Sequence, residues 1–357
     1  MVARIIAKLS SPVVLVGLSA LNALAAAWDD MQRDYASVKF KEHLLKYGDL
    51  VSVVMPVYNR AHLMPRILGS LCAQSYSNLE ILVVDDCSGD DIEGALEVFG
   101  DPRIKLVRRA INGGVAAARN TGVAAAAGDL IAFHDSDDVC TVDRIEQSMR
   151  LFVTLPDDYI GVYGARLIYN EVGVDTYRQM RTFVRPFPSE YPLEGDLSAR
   201  TAQNNILNFP TLLVKASALA AAGPSDELLR KNVDWDLSLR LTRQGKFGFV
   251  PEPLILTPTS LDPSVSANRV SRSERQGARS YARITGKLRR AGYGGQPLAG
   301  HYATTARYLM RIGRPRFARR FLHAALTMTP VAPRLWAHLA FSYTPKLHAR
   351  LRHSGKL

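Results

Sequence analysis

The chain has 357 residues, 47% hydrophobic and 22% charged, which suits one large α/β domain with additions, or two domains, around a sizeable core. Its three cysteines, Cys72, Cys87 and Cys140, form neither a metal-ligand spacing nor an even disulfide set, so a disulfide scaffold is excluded and a reducing compartment is favoured. The net charge of +12 is lopsided: residues 269–357 hold 19 Lys+Arg against one acid, Glu274, and the remainder 26 against 32. That basic block fits an anionic membrane surface or a solvated helical face; no recognised nucleic-acid module accompanies it.

Near the N-terminus, Leu9–Trp28 carries no charge and follows Arg4 and Lys8. The length suffices to span a bilayer and the small residues Ala25 and Ala27 imitate a signal-peptide cleavage site, yet Ser10, Ser11, Pro12, Gly17, Ser19 and Asn22 dilute it. A helix packed on the protein or lying on a membrane surface, a spanning anchor and a cleaved signal remain open. From Leu50 the pattern alternates. Leu50–Met55, Leu79–Val84, Ile104–Val107 and Leu130–Phe133 read as short buried strands, and His62–Gln74, Ile92–Phe99 and Gly114–Ala127 as the helices between them. Such alternation predicts right-handed βαβ units and a mostly parallel, Rossmann-like sheet flanked by helices, with ligands beyond the carboxyl ends of the strands. Later, Tyr159–Tyr169, Leu212–Lys215 and Phe247–Pro251 read as strands, Ser217–Ala222 and Trp235–Gln244 as helices. Ser273–Gly292 and His301–Leu351 read as basic helices, interrupted near Gly292–Gly300 and at Pro315, Pro330 and Pro333.

Polar clusters follow the strands one after another. After the fourth comes His134-Asp135-Ser136-Asp137-Asp138. If the backbone stays extended, Asp135 and Asp137 share a strand face, and two converging carboxylates call for a hard cation such as Mg²⁺ or Mn²⁺ and a diphosphate substrate. After the first strand, Tyr58 either stacks on a base or caps the strand, and Arg60 faces phosphate. Asp86, after the second, either accepts a uracil imide N–H or caps a helix. Gly113 and Gly114 allow close backbone approach. Arg119 faces the substrate or is a surface ion-pair partner. Their joint arrival at successive strand ends carries more weight than any one of them.

Val51–Arg60, Gln74–Ser88, Asn112–Gly128 and His134–Asp138 together resemble the family 2 glycosyltransferases, over roughly residues 50–258. The resemblance implies the GT-A fold, a nucleotide-diphosphate sugar donor, most readily a UDP-sugar, a Mn²⁺ or Mg²⁺ cofactor and inversion at the transferred carbon. It implies that Pro56 and Tyr58 line the nucleoside pocket, that Asp86 reads uracil, and that Asp135 lies near the ribose. Asp135 and Asp137 would form the Asp-x-Asp metal element. Asp234 matches the general base, although Val233 replaces the usual Glu and Ser225 the usual Phe before Asp226. Asp236 is the fallback base, and both it and Trp235 are acceptor-side candidates; alternatively either Asp caps its helix and Trp235 packs in the core. A Gln-x-x-Arg-Trp element is missing, since Gln244 is followed by Gly-Lys-Phe, and this favours a non-processive enzyme.

The expected organisation is an N-terminal helical segment over 1–48, a catalytic domain over 49–262 and a basic helical extension over 263–357. Within the catalytic domain, 49–150 would bind the nucleotide sugar and 151–262 the acceptor. A glycan or lipid-linked acceptor for cell-surface polysaccharide, met at the cytosolic face of a membrane, is the expected partner. The rivals are a non-catalytic sugar-nucleotide-binding or scaffold relative and a nucleotidyltransferase. The latter usually opens with a Gly-rich loop that Met55–Arg60 lacks.

Overall fold

In the computed structural model, which describes residues 49–170, 181–183, 193–259 and 273–344, a Val-rich run forms the first strand. This strand, β1 (Val51–Val57), is buried apart from half-buried Pro56. It pairs in parallel with β2 (Leu79–Asp85) on one side and β4 (Leu130–Phe133) on the other; β3 (Ile104–Arg108) lies outside β2. The register Val57↔Asp85 and Val54↔Phe133 brings the residues that follow these three strands to one edge of the sheet. Helices α1 (Met64–Cys72), α2 (Ile92–Glu97) and α3 (Val115–Ala125) make the crossovers. Helix α3 lies close on the sheet at Gly122, where a Cβ would press into Val54 Cγ1 and stand 2.9 Å from Val84 Cγ2.

Beyond β4 the sheet turns mixed. Its order is β3-β2-β1-β4, then β8 (Leu213–Lys215), β6 (Tyr159–Asn170), β9 (Lys246–Thr259) and β5 (Val139–Cys140), with β7 (Arg181–Phe183) paired to β6. Strand β8 runs antiparallel to both β4 and β6, while β6 and β9 are parallel and β5 closes antiparallel on β9. The expected parallel order therefore holds across β3-β2-β1-β4 and gives way after it. Helix α4 (Arg144–Phe152) follows β5, α5 (Ser198–Gln203) precedes β8, and α6 (Ala216–Ala222) and α7 (Val233–Leu241) lead into β9.

One core packs the sheet against its helices, with Phe133, Phe209, Leu212, Leu237 and Phe247 at its centre. A second core surrounds Trp235 and joins α5 and α7 to the four C-terminal helices α8 (Glu274–Arg290), α9 (Gly295–Arg311), α10 (Pro315–Met328) and α11 (Pro333–Tyr343). Helix α9 starts inside the Gly-rich stretch expected to be a break; Pro297 sits in its first turn, where a missing N–H costs no helical bond. The chain divides into Met1–Gly48 and Asp49–Leu357, and the basic helices belong to the same compact unit as the sheet. The apolar stretch Leu9–Trp28 lies outside the described residues. Among the described residues no helix is long and apolar enough to cross a membrane.

Candidate active site

The loops after β1 and β2 are laced together. Asn59, in the left-handed region at φ 51°, donates its N–H to Ser88 Oγ (2.9 Å) and accepts from Gly89 N (2.7 Å), and Ala61 N donates to Asp90 (2.7 Å). This leaves Tyr58 49% exposed at the strand end, its ring free to take a planar ligand. Next to it, Asp86 is almost wholly buried. Its Oδ1 accepts from Gly113 N (3.0 Å) and from Arg109 Nη1, and its Oδ2 from Gly114 N (2.7 Å). Three of the roughly four acceptor sites of a carboxylate are thus filled from within the protein, and one on Oδ2 is left. Gly114 adopts φ 82°, and Arg230 Nη1 donates to Gly113 O (2.7 Å), gripping the same turn from the second half of the fold.

Strand β4 ends at Phe133, and Asp135–Asp138 form a turn closed by Asp138 N donating to Asp135 O (3.1 Å). The expectation of an extended backbone is thereby corrected: the carboxylates gather through a turn, not through strand alternation. Arg144, 1% exposed, holds that turn from behind. Its Nη2 donates to Phe133 O (2.6 Å) and its Nη1 to His134 Nδ1 (3.0 Å). An arginine can only donate, so the His134 proton sits on Nε2, which donates to Asp138 O (3.2 Å). Burial first, then the Arg144 charge, keeps His134 well below its ordinary pKa and neutral. Burial, followed by the Asp135 and Asp137 charges, raises the Asp138 carboxyl to about 7.

Two further arginines face this turn. Arg119 Nη2 donates to Asp135 Oδ1 (3.0 Å), and Arg60 Nη1 lies 3.4 Å from Asp137 Oδ1 and donates to Ser136 Oγ (2.9 Å). Arg119 is 6% exposed, with its guanidinium carbon 4.6 Å from the Phe209 ring centroid, so it is an interior residue and not a surface ion-pair partner. Its Nε is buried without a hydrogen-bond partner, an uncommon state for a native polar atom and one that a polar ligand relieves. Asp135 and Asp137 offer the oxygen donors a hard cation takes. Among the described residues no third His, Cys, Asp or Glu joins them as a cluster. Two carboxylates with the remaining positions left to phosphate and water is the usual protein share for such an ion, and the residues fit it.

From the other half, Asp234 stands in the first turn of α7 after left-handed Asn232, and Asn205 Nδ2 donates to its Oδ2 (2.7 Å). Arg119, Asp135, Asn205, Phe209, Arg166 and Asp234 line a single cleft of about 150 Å³. The neighbours of Asp234 do not join it. Successive helical side chains point about 100° apart, and Trp235 is turned into the second core, 6% exposed, with its indole N–H on Thr201 O (2.7 Å) and its ring 4.7 Å from that of His301. Asp236 is 1% exposed and bonded to Arg240 (3.0 Å) and Lys287 (2.5 Å). Both acceptor-side candidates therefore lie in the interior and do not line the cleft that Asp234 lines. A larger groove, about 610 Å³, lies among Asp158, Asp196, Arg243, Lys246 and Tyr293. It sits at the starts of β6 and β9, the opposite end of the sheet, and contains none of the candidate catalytic, nucleotide-binding or metal residues.

Sequence reasoning missed Arg109, Arg144, Asn205 and Arg230. None forms part of a recognisable local motif, and each acquires a role only when a distant segment closes on it.

A parallel βαβ half whose strand ends carry Tyr58, Asp86 and an acidic turn, joined to a mixed half that supplies an acid across the cleft, is the layout of a GT-A glycosyltransferase. Residues 52–217, a little under half of the chain, match the family model described as glycosyl transferase family 2, so this stretch is a domain of that family. Over 121 residues it is 39% identical to the UDP-Glc:alpha-D-GlcNAc-diphosphoundecaprenol beta-1,3-glucosyltransferase WfgD of Escherichia coli, covering 34% of this chain and 47% of that one. An uncharacterized glycosyltransferase of Rickettsia typhi is 29% identical over 209 residues, 58% of this chain and 64% of that one. The chain thus spans about half to two thirds of the length of these curated relatives. Among solved structures, S. aureus TarS 1-349 in complex with UDP-GlcNAc aligns with a TM-score of 0.56 at 17% identity, over 86% of this chain and 92% of that one. The mannosyltransferase PcManGT from Pyrobaculum calidifontis, in complex with GDP-Man and Mn2+, aligns at 0.52 and 18%, over 85% and 82%. At such identities the likeness speaks for the fold alone.

Proposed function

We propose that this glycosyltransferase moves one sugar at a time from a UDP-sugar to a hydroxyl of a glycan or lipid-linked acceptor, with inversion and Asp234 as general base. The observation that carries the reading is that Asp135 and Asp234, from opposite halves of the fold, line one small cleft beside buried Arg119. On the donor side, Tyr58 would stack on the base and the remaining Oδ2 site of Asp86 would accept the uracil imide N–H. Asp135 and Asp137 would hold the divalent ion. When bound, that ion supplies positive charge against the charge that grows on the departing nucleoside diphosphate. Arg60 and Arg119 already neutralise the same two carboxylates and are positioned to turn toward phosphate once the donor enters.

On the acceptor side, the half-buried carboxylate of Asp234 is oriented by Asn205 and by the helix N-terminus behind it. It would take the proton as the acceptor oxygen attacks the sugar carbon from the side opposite the leaving diphosphate. A base acting on that face gives a single displacement and inversion. The WfgD relative, whose name specifies a UDP-Glc donor and a diphosphoundecaprenol-linked acceptor, supports a lipid-linked acceptor.

The test is UDP release from a panel of UDP-sugars in the presence of lipid-linked acceptors, with wild type and Asp234→Asn. Turnover is expected in the wild type, and a drop of about 10²–10⁴ in kcat in the variant with UDP affinity retained. Unchanged kcat in Asp234→Asn would remove the base assignment. A wild type that binds UDP but never turns over would favour a non-catalytic relative.

A further inference from the structure

Helices α10 and α11 present a surface that neither core nor cleft uses. Residues 315–343 contain no acidic residue. Along α10 the buried stripe is Ala318, Leu322, Ala325 and Leu326, and the exposed positions include Arg316, Phe317 and Arg320. Along α11 the buried stripe is Leu335, Leu339 and Ser342, and the outward positions include Trp336, Ala337, Ala340 and Tyr343, all without charge. Exposure reaches 51% for Phe317, 53% for Trp336, 58% for Tyr343 and 90% for Val331 in the turn between the helices. These four are among only ten large hydrophobic residues exposed anywhere in the described chain. The guanidinium of Arg319 lies 4.2 Å from the Tyr343 ring centroid and that of Arg320 5.9 Å from Phe317, so cations and rings interleave.

We propose that this α10–α11 face is a docking surface for an anionic bilayer, seating Phe317, Trp336 and Tyr343 at the headgroup level with the arginines against lipid phosphates. The Trp336 and Tyr343 rings, each with one polar edge, favour that depth, Phe317 adds apolar area to it, and basic residues near it gain from the negative surface potential. Other basic positions of the C-terminal helices are already paired with acids of the chain: Arg283 and Lys287 with Asp226, and Arg311 with Glu274. Arg316, Arg319, Arg320 and Arg334 have no such acid on their own helices. A second copy of the chain fits poorly, because a two-fold contact would set this all-basic face against itself. The inference rests on the lipid-linked acceptor of the proposed function, which gives the enzyme a reason to sit on a membrane.

The experiment uses the full chain and co-sedimentation with vesicles of phosphatidylcholine alone or with phosphatidylglycerol, at low and high salt. Wild type is compared with Phe317→Ser/Trp336→Ser/Tyr343→Ser and with Arg316→Gln/Arg320→Gln. Preferential, salt-sensitive binding to the anionic vesicles is expected. The aromatic variant should bind both vesicle types much more weakly, and the double arginine variant should weaken binding to the anionic vesicles about thirtyfold, at about fivefold for each charge near the surface. All changed positions are exposed or half-exposed, and UDP affinity measured on each variant reports whether the donor site has survived. Anionic-vesicle binding at wild-type strength in the aromatic variant, or wild type that binds both vesicle types equally, would overturn the proposal. So would a concentration-dependent dimer that these substitutions break without altering vesicle binding. Loss of vesicle binding with intact UDP affinity keeps the docking surface separate from the donor reading, and normal vesicle binding without UDP affinity sinks only the latter.

Discussion

Replacing Asp86 by Asn tests whether this carboxylate holds the Gly113–Gly114 turn or serves only to read the base. In the wild type it takes two backbone N–H groups and Arg109 while nearly excluded from solvent. Asn keeps one oxygen. In its better orientation the oxygen still faces Gly113 and Arg109, and the new NH₂ then opposes the N–H of Gly114. One charged hydrogen bond is lost, at about 1.5–3 kcal/mol, and the Arg109 pair is weakened, for about 2–4 kcal/mol in all. At about 2 °C per kcal/mol for a unit of this size, Tm should fall about 4–8 °C. Differential scanning calorimetry reads the shift, and UDP and GDP titrations on the same sample read base selectivity, which should fall as well. A variant with unchanged Tm and abolished UDP binding would refute the bracing argument and leave Asp86 a pure base reader.

Other outcomes follow from the packing and the ion pairs. Gly122→Val pushes side-chain atoms into Val54 and Val84, lifting α3 from the sheet; thermal melts should show about 1–3 kcal/mol lost, and a wild-type melting point would contradict the close approach. Trp235→Phe keeps one aromatic ring but drops the bond to Thr201 O and leaves part of the indole's volume empty, so stability should fall about 1–3 kcal/mol with acceptor KM unchanged. A large rise in acceptor KM without loss of stability would restore the platform role. For Asp226, burial pushes upward, but Arg283 and Lys287 outweigh it and hold the carboxyl at about 2 against the ordinary 3.8. The folded value lies below the unfolded one, so its contribution is complete above about pH 4 and is lost as pH falls toward 2. With screening at the half-exposed Arg283 discounted, Asp226→Asn should flatten the acid limb of stability by at most about 2 kcal/mol. An acid limb identical to wild type would show the pairs contribute nothing.

The nucleotide half was legible because its signals are local. Val-rich runs became β1 and β2, Leu130–Phe133 became β4 at the predicted bounds, and the polar clusters fell at strand ends because βαβ connectivity puts them there. The prolines at 315, 330 and 333 marked the helix breaks for the same reason, since a missing N–H acts on its own turn. What escaped depends on partners far along the chain. Nothing near Arg144 says that its guanidinium would be buried behind the acidic turn, and Asn205 sits in a loop with no periodicity. Asp234, Trp235 and Asp236 are adjacent in sequence and chemically plausible alike; only the helix rotation and the C-terminal bundle, which supplies His301 and Lys287, send one to the cleft and two to the interior. The antiparallel β8 and the two-residue β5 were likewise decided by packing across the sheet, not by their own residues.

The central claim is that Asp135 and Asp137 form a divalent-ion-dependent site for a nucleoside diphosphate. Its most direct test is calorimetric titration of UDP into the wild type with Mn²⁺, into the wild type with EDTA, and into Asp137→Ala with Mn²⁺. Binding is predicted in the first case, lost or weakened at least about tenfold in the other two. Equal UDP affinity in all three, or no UDP binding under any of them, would contradict it.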